Sequence, residues 1–126
     1  LVIDKWFATQ ALSIRDDTLE AVIRLSAHAD FSIANPNRLR SLVSSFAANQ
    51  RAFHSGNGEG YRFLTDMILA VDKINPQSAA RLVTPLGRWR RFGSDKGEMM
   101  QGELQRIASA PKLSKDVREQ VSKSLG

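Results

Sequence analysis

Apolar residues recur along most of this chain at the spacing of amphipathic helices, and the alternation typical of strands is almost absent. Leu39, Leu42, Val43 and Phe46 follow the i, i+3, i+4, i+7 pattern of one helix face. Comparable stripes occupy Leu19–Ile23, Leu64–Val71, Leu82–Trp89, Met100–Ile107 and Val117–Leu125. We therefore predict an all-α protein of seven helices, near residues 2–12, 17–28, 36–48, 58–74, 76–92, 95–109 and 115–124.

Two helix-start signals lie 40 residues apart, at Asn35-Pro36 and Asn75-Pro76. Asparagine is a favoured N-cap, because its side-chain oxygen accepts a hydrogen bond from the first turn. Proline suits the first helical position, where its missing N–H would have had no partner. A capped helix about every 40 residues is typical of HEAT and armadillo repeats. The connections are short, so consecutive helices should pack as antiparallel pairs in a superhelix.

Three local features refine this prediction. Pro85 lies inside the fifth predicted helix, where it removes a backbone donor and predicts a kink or a restart. Asp17, followed by Glu20, resembles a capping box for the second helix. The first helix begins without a cap and carries Trp6 and Phe7, so we expect an additional upstream helix to cover both side chains.

Composition limits the class of protein. A chain of 126 residues, with 42% hydrophobic and 25% charged residues, fits one globular domain covering residues 1–126. No apolar run approaches the roughly 18 residues that span a bilayer, and we expect no membrane partner. The chain has no cysteine, which fits a reducing compartment, and its net charge is +5. It begins with Leu instead of Met, and its first helical pattern is already running without a cap, so we expect it to be a piece of a longer protein. No leader sequence is visible.

Four motifs carry a family resemblance. They are Asp4-Lys5-Trp6-Phe7-Ala8, Asn35-Pro36-Asn37-Arg38 with Arg40-Ser41, Gly60-Tyr61-Arg62-Phe63-Leu64, and Asn75-Pro76-Gln77 with Arg81-Leu82. In this order and spacing the chain resembles the C-terminal domain of bacterial aminopeptidase N. The resemblance implies an armadillo-like helical domain of a cytoplasmic, multidomain zinc enzyme that releases N-terminal amino acids from peptides. The partners it implies are the remaining domains of that parent enzyme and the peptide substrate.

The resemblance also implies candidate site residues. In the family, the arginine of the first Asn-Pro motif and the glutamine and arginine of the second face the closed chamber above the zinc site, where they can contact the distal part of a peptide. These positions are Arg40, Gln77 and Arg81 here, with Arg38 as a weaker candidate. Spacing alone favours a different interpretation, in which these are ordinary solvated arginines or arginines in interdomain salt bridges.

Catalytic motifs are absent from the sequence itself. The zinc signature H-E-x-x-H, whose two imidazoles chelate the metal while the glutamate activates water, does not occur. The only histidines, His28 and His54, lie far apart and suit helix ends or the surface. We therefore expect no cofactor in this fragment and no activity from it alone, with zinc held by the parent's catalytic domain.

Two other functions stay open at this point. One is a stand-alone helical-repeat module that binds a protein or peptide. The other is a nucleic-acid-binding domain, because Arg88, Arg90 and Arg91 alternate with Trp89 and Phe92. Helical spacing instead predicts that Trp89 is buried and that the arginines complement the end of their own helix, so we expect no nucleic-acid partner.

Overall fold

The computed structural model describes residues 2–12, 18–27, 34–54, 58–92 and 94–125, and every regular element in these ranges is helical. The elements are α1 (Val2–Ala11), α2 (Thr18–Ser26), α3 (Pro36–Leu39), a π-helical stretch (Arg40–Ser44), α4 (Ser45–Ala48), α5 (Gln50–Phe53), α6 (Glu59–Asp72), α7 (Pro76–Val83), a 3₁₀ segment (Thr84–Arg91), α8 (Ser94–Ala108) and α9 (Lys115–Leu125). The all-α prediction is confirmed. Over the described ranges, no helix has the length and apolar character needed to cross a bilayer.

The described residues form two compact units, one within residues 1–55 and the other within residues 56–126. The first unit contains α1 to α5, and the second contains α6 to α9 with the 3₁₀ segment. Each unit has its own apolar core and is described by itself below. The division into one domain over residues 1–126 stays a prediction.

Both predicted asparagine caps are confirmed. The Asn35 side-chain oxygen accepts hydrogen bonds from the backbone N–H groups of Asn37 and Arg38, at 3.1 and 3.2 Å. The Asn75 oxygen accepts one from Ser78 at 3.2 Å, and Pro76 occupies the first turn of α7. Asp17, the predicted cap of the second helix, lies outside the described residues.

The core of the first unit forms where α1 and α2 pack on the helical stretch that begins at Pro36. Phe7 is fully buried in this core, so the expectation that it needs an additional helix for cover is wrong, whereas Trp6 is 42% exposed. Asn49, 9% exposed, follows α4 and joins two elements, since its side-chain amide donates to the Ala11 carbonyl at 3.0 Å. Its side-chain oxygen accepts from the Ala52 N–H at 3.3 Å, which starts the short helix α5 that the pattern did not predict.

In the second unit, the fifth predicted helix is divided at Pro85. The α-helical part ends at Val83, and the Thr84 N–H bonds to the Arg81 carbonyl across three residues. Because Pro85 has no N–H to donate back to that turn, the chain continues as a 3₁₀ segment. Leu82 and Leu86 are buried on either side of the break, which confirms this part of the predicted stripe.

Helix α9 is held at both of its ends by side chains from earlier elements. At its start, the Ser114 N–H donates to the Asp72 carboxylate at 2.9 Å. At its end, Trp89 Nε1 donates to the Ser124 carbonyl at 2.9 Å, and the Arg90 guanidinium donates to the Leu125 carbonyl at 3.0 Å. Asp72 lies just before α7, and Trp89 lies in the segment that follows α7. Helix α9 therefore runs in the same direction as α7 and packs against it.

Two glycines of α8 provide a matched test of how closely α8 packs on the 3₁₀ segment. A Cβ at Gly97 would lie 2.7 Å from the Trp89 carbonyl oxygen, whereas a Cβ at Gly102 would meet nothing within 4 Å. We expect Gly97→Ala to lower the free energy of unfolding by about 1–3 kcal/mol through overpacking. Gly102→Ala should raise it by about 0.5–1 kcal/mol, because alanine favours the helix interior. Urea unfolding followed by far-ultraviolet circular dichroism measures both, and effects of the same sign would contradict the described contact.

Candidate functional site

Two of the predicted site residues, Gln77 and Arg81, line one open groove between α7 and α9. The groove has a volume of about 410 Å³. Gln77 and Arg81 are one helical turn apart on α7 and both are exposed. The remaining lining residues are Ala80 of α7 and Asp116, Glu119, Gln120 and Lys123 of α9.

The groove contains charges of both signs that do not neutralise one another. The side chains of Arg81, Asp116 and Lys123 have no hydrogen bond or ion pair with any residue that the structure describes. Glu119 has one ion pair, with Lys115 at 3.9 Å, and both side chains are more than half exposed. Such an exposed pair contributes little, so the groove presents four charges that are available to a ligand.

These side chains suit the recognition of a peptide end. A guanidinium such as that of Arg81 can bind a carboxylate through two parallel N–H groups. The amides of Gln77 and Gln120 each offer a donor and an acceptor, which matches the hydrogen-bonding groups of a peptide backbone. The arrangement thus offers groups that can bind and position a peptide end.

Arg38, the weaker candidate, is engaged within the first unit. Its Nε donates to the Asp4 carboxylate at 3.0 Å, and the two side chains are only 22% and 20% exposed. This ion pair joins α3 to α1, two elements of the same core. A substrate role for Arg38 stays a prediction, but such a role would require the guanidinium to serve Asp4 as well.

Arg40 belongs to the first unit and is the first residue of the π-helical stretch Arg40–Ser44. Its side chain is exposed. Its guanidinium donates to the side-chain oxygen of Asn37, which orients it along the surface of α3. π-Helical turns occur frequently at functional sites, a correlation that supports Arg40 as a candidate. Its role as a substrate contact stays a prediction.

The arginine-rich segment that suggested nucleic acid has a structural explanation at Trp89 and Arg90. Both side chains bind carbonyls at the end of α9, and the Arg90 guanidinium carbon lies 4.5 Å from the centre of the Trp89 ring. A half-buried indole with a cation on its face is poorly placed to stack on a base. The prediction that the arginines complement the end of their own helix is wrong for Arg90, because its guanidinium binds the end of α9.

Among the described residues, no three His, Cys, Asp or Glu side chains are grouped so that they could hold a metal ion. His54 packs against Phe53, with 5.0 Å between ring centres, and His28 lies outside the described residues. Tyr61 lies in the core of the second unit, where burial raises the pKa of its hydroxyl to about 12, so it stays protonated.

The sequence did not identify the half of the groove that α9 contributes. Asp116, Glu119 and Lys123 follow helical spacing on the face opposite Val117 and Val121, which are both buried. That spacing predicts an outer helix face, and it contains no signal that the face lies beside Gln77 and Arg81. The hydrogen bonds that place α9 there connect residues 35 to 42 positions apart.

The comparisons with known proteins agree on one family. Residues 1–126 match the family described as "Domain of unknown function (DUF3458_C) ARM repeats". Aminopeptidase N of Caulobacter vibrioides is 54% identical over 127 residues, which cover 100% of this chain and 15% of that protein. The Haemophilus influenzae and Escherichia coli proteins of the same name are 48% and 42% identical, and the match covers 99% of this chain and 14% of each of them.

A solved structure gives the same result. The crystal structure of Legionella pneumophila aminopeptidase A in complex with aspartic acid matches with a TM-score of 0.91 and 38% sequence identity. The match covers 98% of this chain and 14% of that one. The chain thus spans about one-seventh of the length of the relatives that it matches.

The pairing of Arg38 with Asp4 generates a prediction about stability. We expect Arg38→Ala and Asp4→Asn each to lower the free energy of unfolding. Their effects should be coupled by about 0.2–1 kcal/mol, as for other partly exposed ion pairs. A double-mutant cycle measured by urea unfolding isolates this coupling. Strictly additive effects would mean that the pair with Asp4 contributes nothing to stability.

Proposed function

Because this chain belongs to the ARM-repeat family described as DUF3458_C, and its relatives are aminopeptidases, we propose that it serves an aminopeptidase as a non-catalytic helical domain. The resemblance to the C-terminal domain of bacterial aminopeptidase N is confirmed by these matches. The proposed activity of the whole enzyme is the release of N-terminal amino acids from peptides. A cytoplasmic location is part of the same proposal.

The proposed share of this domain is to wall the chamber above the active site, restrict access to it and bind the downstream part of the peptide. The observation that supports binding is the groove between α7 and α9, where Arg81 is exposed and free of any ion pair within the described ranges. Keeping a cation unpaired beside a groove leaves its charge available to a ligand carboxylate. Arg40 joins the proposal through the family resemblance and through its position at the π-helical stretch.

Zinc enters the proposal only through the parent enzyme. The described residues do not fit the metal, because they contain no group of three possible ligands. The sequence also lacks the paired histidines that would chelate it at one-turn spacing. We therefore assign zinc and the activation of water to the rest of the parent, and no catalytic step to this chain.

The remaining domains of the parent are the proposed partners. Trp6 and Ile23, on neighbouring helices of the first unit, are 42% and 46% exposed, and Leu12 at the end of α1 is 51% exposed. A contiguous exposed apolar patch marks a contact surface in soluble proteins, and these three side chains are candidates for such a surface. The relatives are several times longer than this chain, so the parent has further domains that could cover these side chains. Contact with those domains explains the exposure.

One prediction concerns the chain on its own. Since the residues that the structure describes contain no group of three possible ligands, we expect the purified chain to bind no zinc stoichiometrically and to release no product from an alanyl amide. Metal analysis of protein washed with a chelator and a fluorogenic assay measure both, with the intact parent as the positive control. One zinc per chain after washing, or measurable hydrolysis by the chain, would refute the assignment of catalysis to the rest of the parent.

A second prediction concerns Arg81 in the intact parent. We expect Arg81→Ala to lower kcat/KM for an alanyl tetrapeptide while leaving an alanyl anilide nearly unchanged, because only the longer substrate reaches the groove. A charge-assisted hydrogen bond contributes about 1.5–3 kcal/mol and less when exposed, so we expect a loss of about 3- to 10-fold. Steady-state assays on both substrates measure the selectivity of this loss.

Arg91→Ala is the matched control for Arg81→Ala. Arg91 is also exposed in the second unit and does not line the groove, so its loss should affect neither substrate. If Arg81→Ala lowers kcat/KM equally for the tetrapeptide and the anilide, Arg81 does not belong to the site. A lowered melting temperature with no change in the ratio of the two kcat/KM values would lead to the same conclusion.

A further inference from the structure

We propose that the groove between α7 and α9 makes the enzyme select peptides with a basic residue at their carboxyl end. This inference rests on the proposed function, since it assumes that the groove receives the downstream part of the substrate. It adds Asp116, Glu119 and Lys123 of α9 to the site, three residues that the family motifs do not contain. The ligand class is a peptide end that carries a carboxylate and a cation together.

The direction of α9 separates the two signs of charge along the groove. Asp116 lies in the first turn of α9 and Lys123 in its last turn, about 10 Å apart at the rise of an α-helix. Glu119 lies between them. Because α9 runs in the same direction as α7, Gln77 lies toward the acidic end of the groove and Arg81 lies farther along, toward Lys123.

This order matches the two charges of a C-terminal lysine or arginine. The peptide carboxylate would bind Arg81 and Lys123, and the cationic side chain would extend toward Asp116 and Glu119. The separation between Glu119 and Lys123, one helical turn or about 6 Å, is within the reach of such a side chain. An acidic residue at the same position would bring its second carboxylate toward Asp116 and Glu119, where like charges repel.

The neighbouring charges set the expected size of the effect. Lys115, which is 87% exposed, forms a long ion pair with Glu119 and reduces the field of that carboxylate. Asp116 has no such partner within the described residues, so it should contribute the larger share. Partly exposed ion pairs change equilibria modestly, and we therefore expect effects of about 2- to 5-fold on kcat/KM.

The experiment uses the intact parent enzyme with two unlabelled peptides, Ala-Ala-Ala-Lys and Ala-Ala-Ala-Glu. The measured quantity is the ratio of their kcat/KM values, obtained by chromatography of the released alanine. We expect the wild-type enzyme to favour the lysine peptide. The double substitution Asp116→Asn with Glu119→Gln should lower this ratio by about 2- to 5-fold, mainly through slower turnover of the lysine peptide.

Two further variants separate this inference from the proposed function. Lys123→Gln removes a proposed carboxylate contact, so it should slow both peptides and leave the alanyl anilide unchanged. Glu98→Gln is the matched control, because Glu98 is an exposed acid on α8 that does not line the groove. It should leave the ratio as it is in the wild-type enzyme.

Each result has a definite meaning. Suppose that the ratio of the two kcat/KM values stays unchanged in the double variant while Arg81→Ala still lowers kcat/KM for peptides and not for the anilide. That result would overturn the charge preference and keep the proposed function. If Arg81→Ala and Lys123→Gln each change kcat/KM by the same factor for the peptides and for the anilide, the groove does not receive substrate. Both proposals then fail. A wild-type preference for the glutamate peptide would also overturn the inference.

Discussion

The fixing of α9 at both of its ends is the interaction on which the candidate site depends. An isolated helix of 11 residues is marginal in water, so its position must come from tertiary contacts. The Asp72 carboxylate binds the backbone where α9 begins, and Trp89 and Arg90 bind the carbonyls where it ends. These bonds satisfy backbone groups that a helix leaves unpaired at its termini. They also hold α9 beside α7, and the groove exists because the two helices lie side by side.

Local sequence chemistry then sets which residues of α7 face that groove. The Asn75 cap begins α7 at Pro76, and Pro85 prevents it from continuing as an α-helix beyond Val83. Between these limits the buried stripe of Ala79 and Leu82 points into the core. Gln77 and Arg81 flank that stripe and are exposed to the groove. A cap, a proline and an apolar stripe therefore place two polar side chains without any strain in the backbone.

The difference between what the sequence predicted and what it missed follows from the range of the interactions. The stripes, the Asn35 and Asn75 caps and the break at Pro85 depend on residues a few positions apart, and they were predicted. The bond that Asn49 donates to Ala11 was missed because it spans 38 positions, although the Ala52 bond with which the same side chain starts α5 is local. Likewise the partner of Arg38 is Asp4, 34 positions away. The α9 half of the groove could not be predicted for the same reason.

We propose that the groove between α7 and α9 receives the downstream end of a peptide in the intact enzyme. A crystal structure of the parent bound to a non-hydrolysable tetrapeptide analogue tests it most directly. We expect the analogue's carboxylate to lie within hydrogen-bonding distance of the Arg81 guanidinium, with Gln77 and Lys123 beside it. A groove that opens to bulk solvent, with the carboxylate bound by other domains, would contradict the claim.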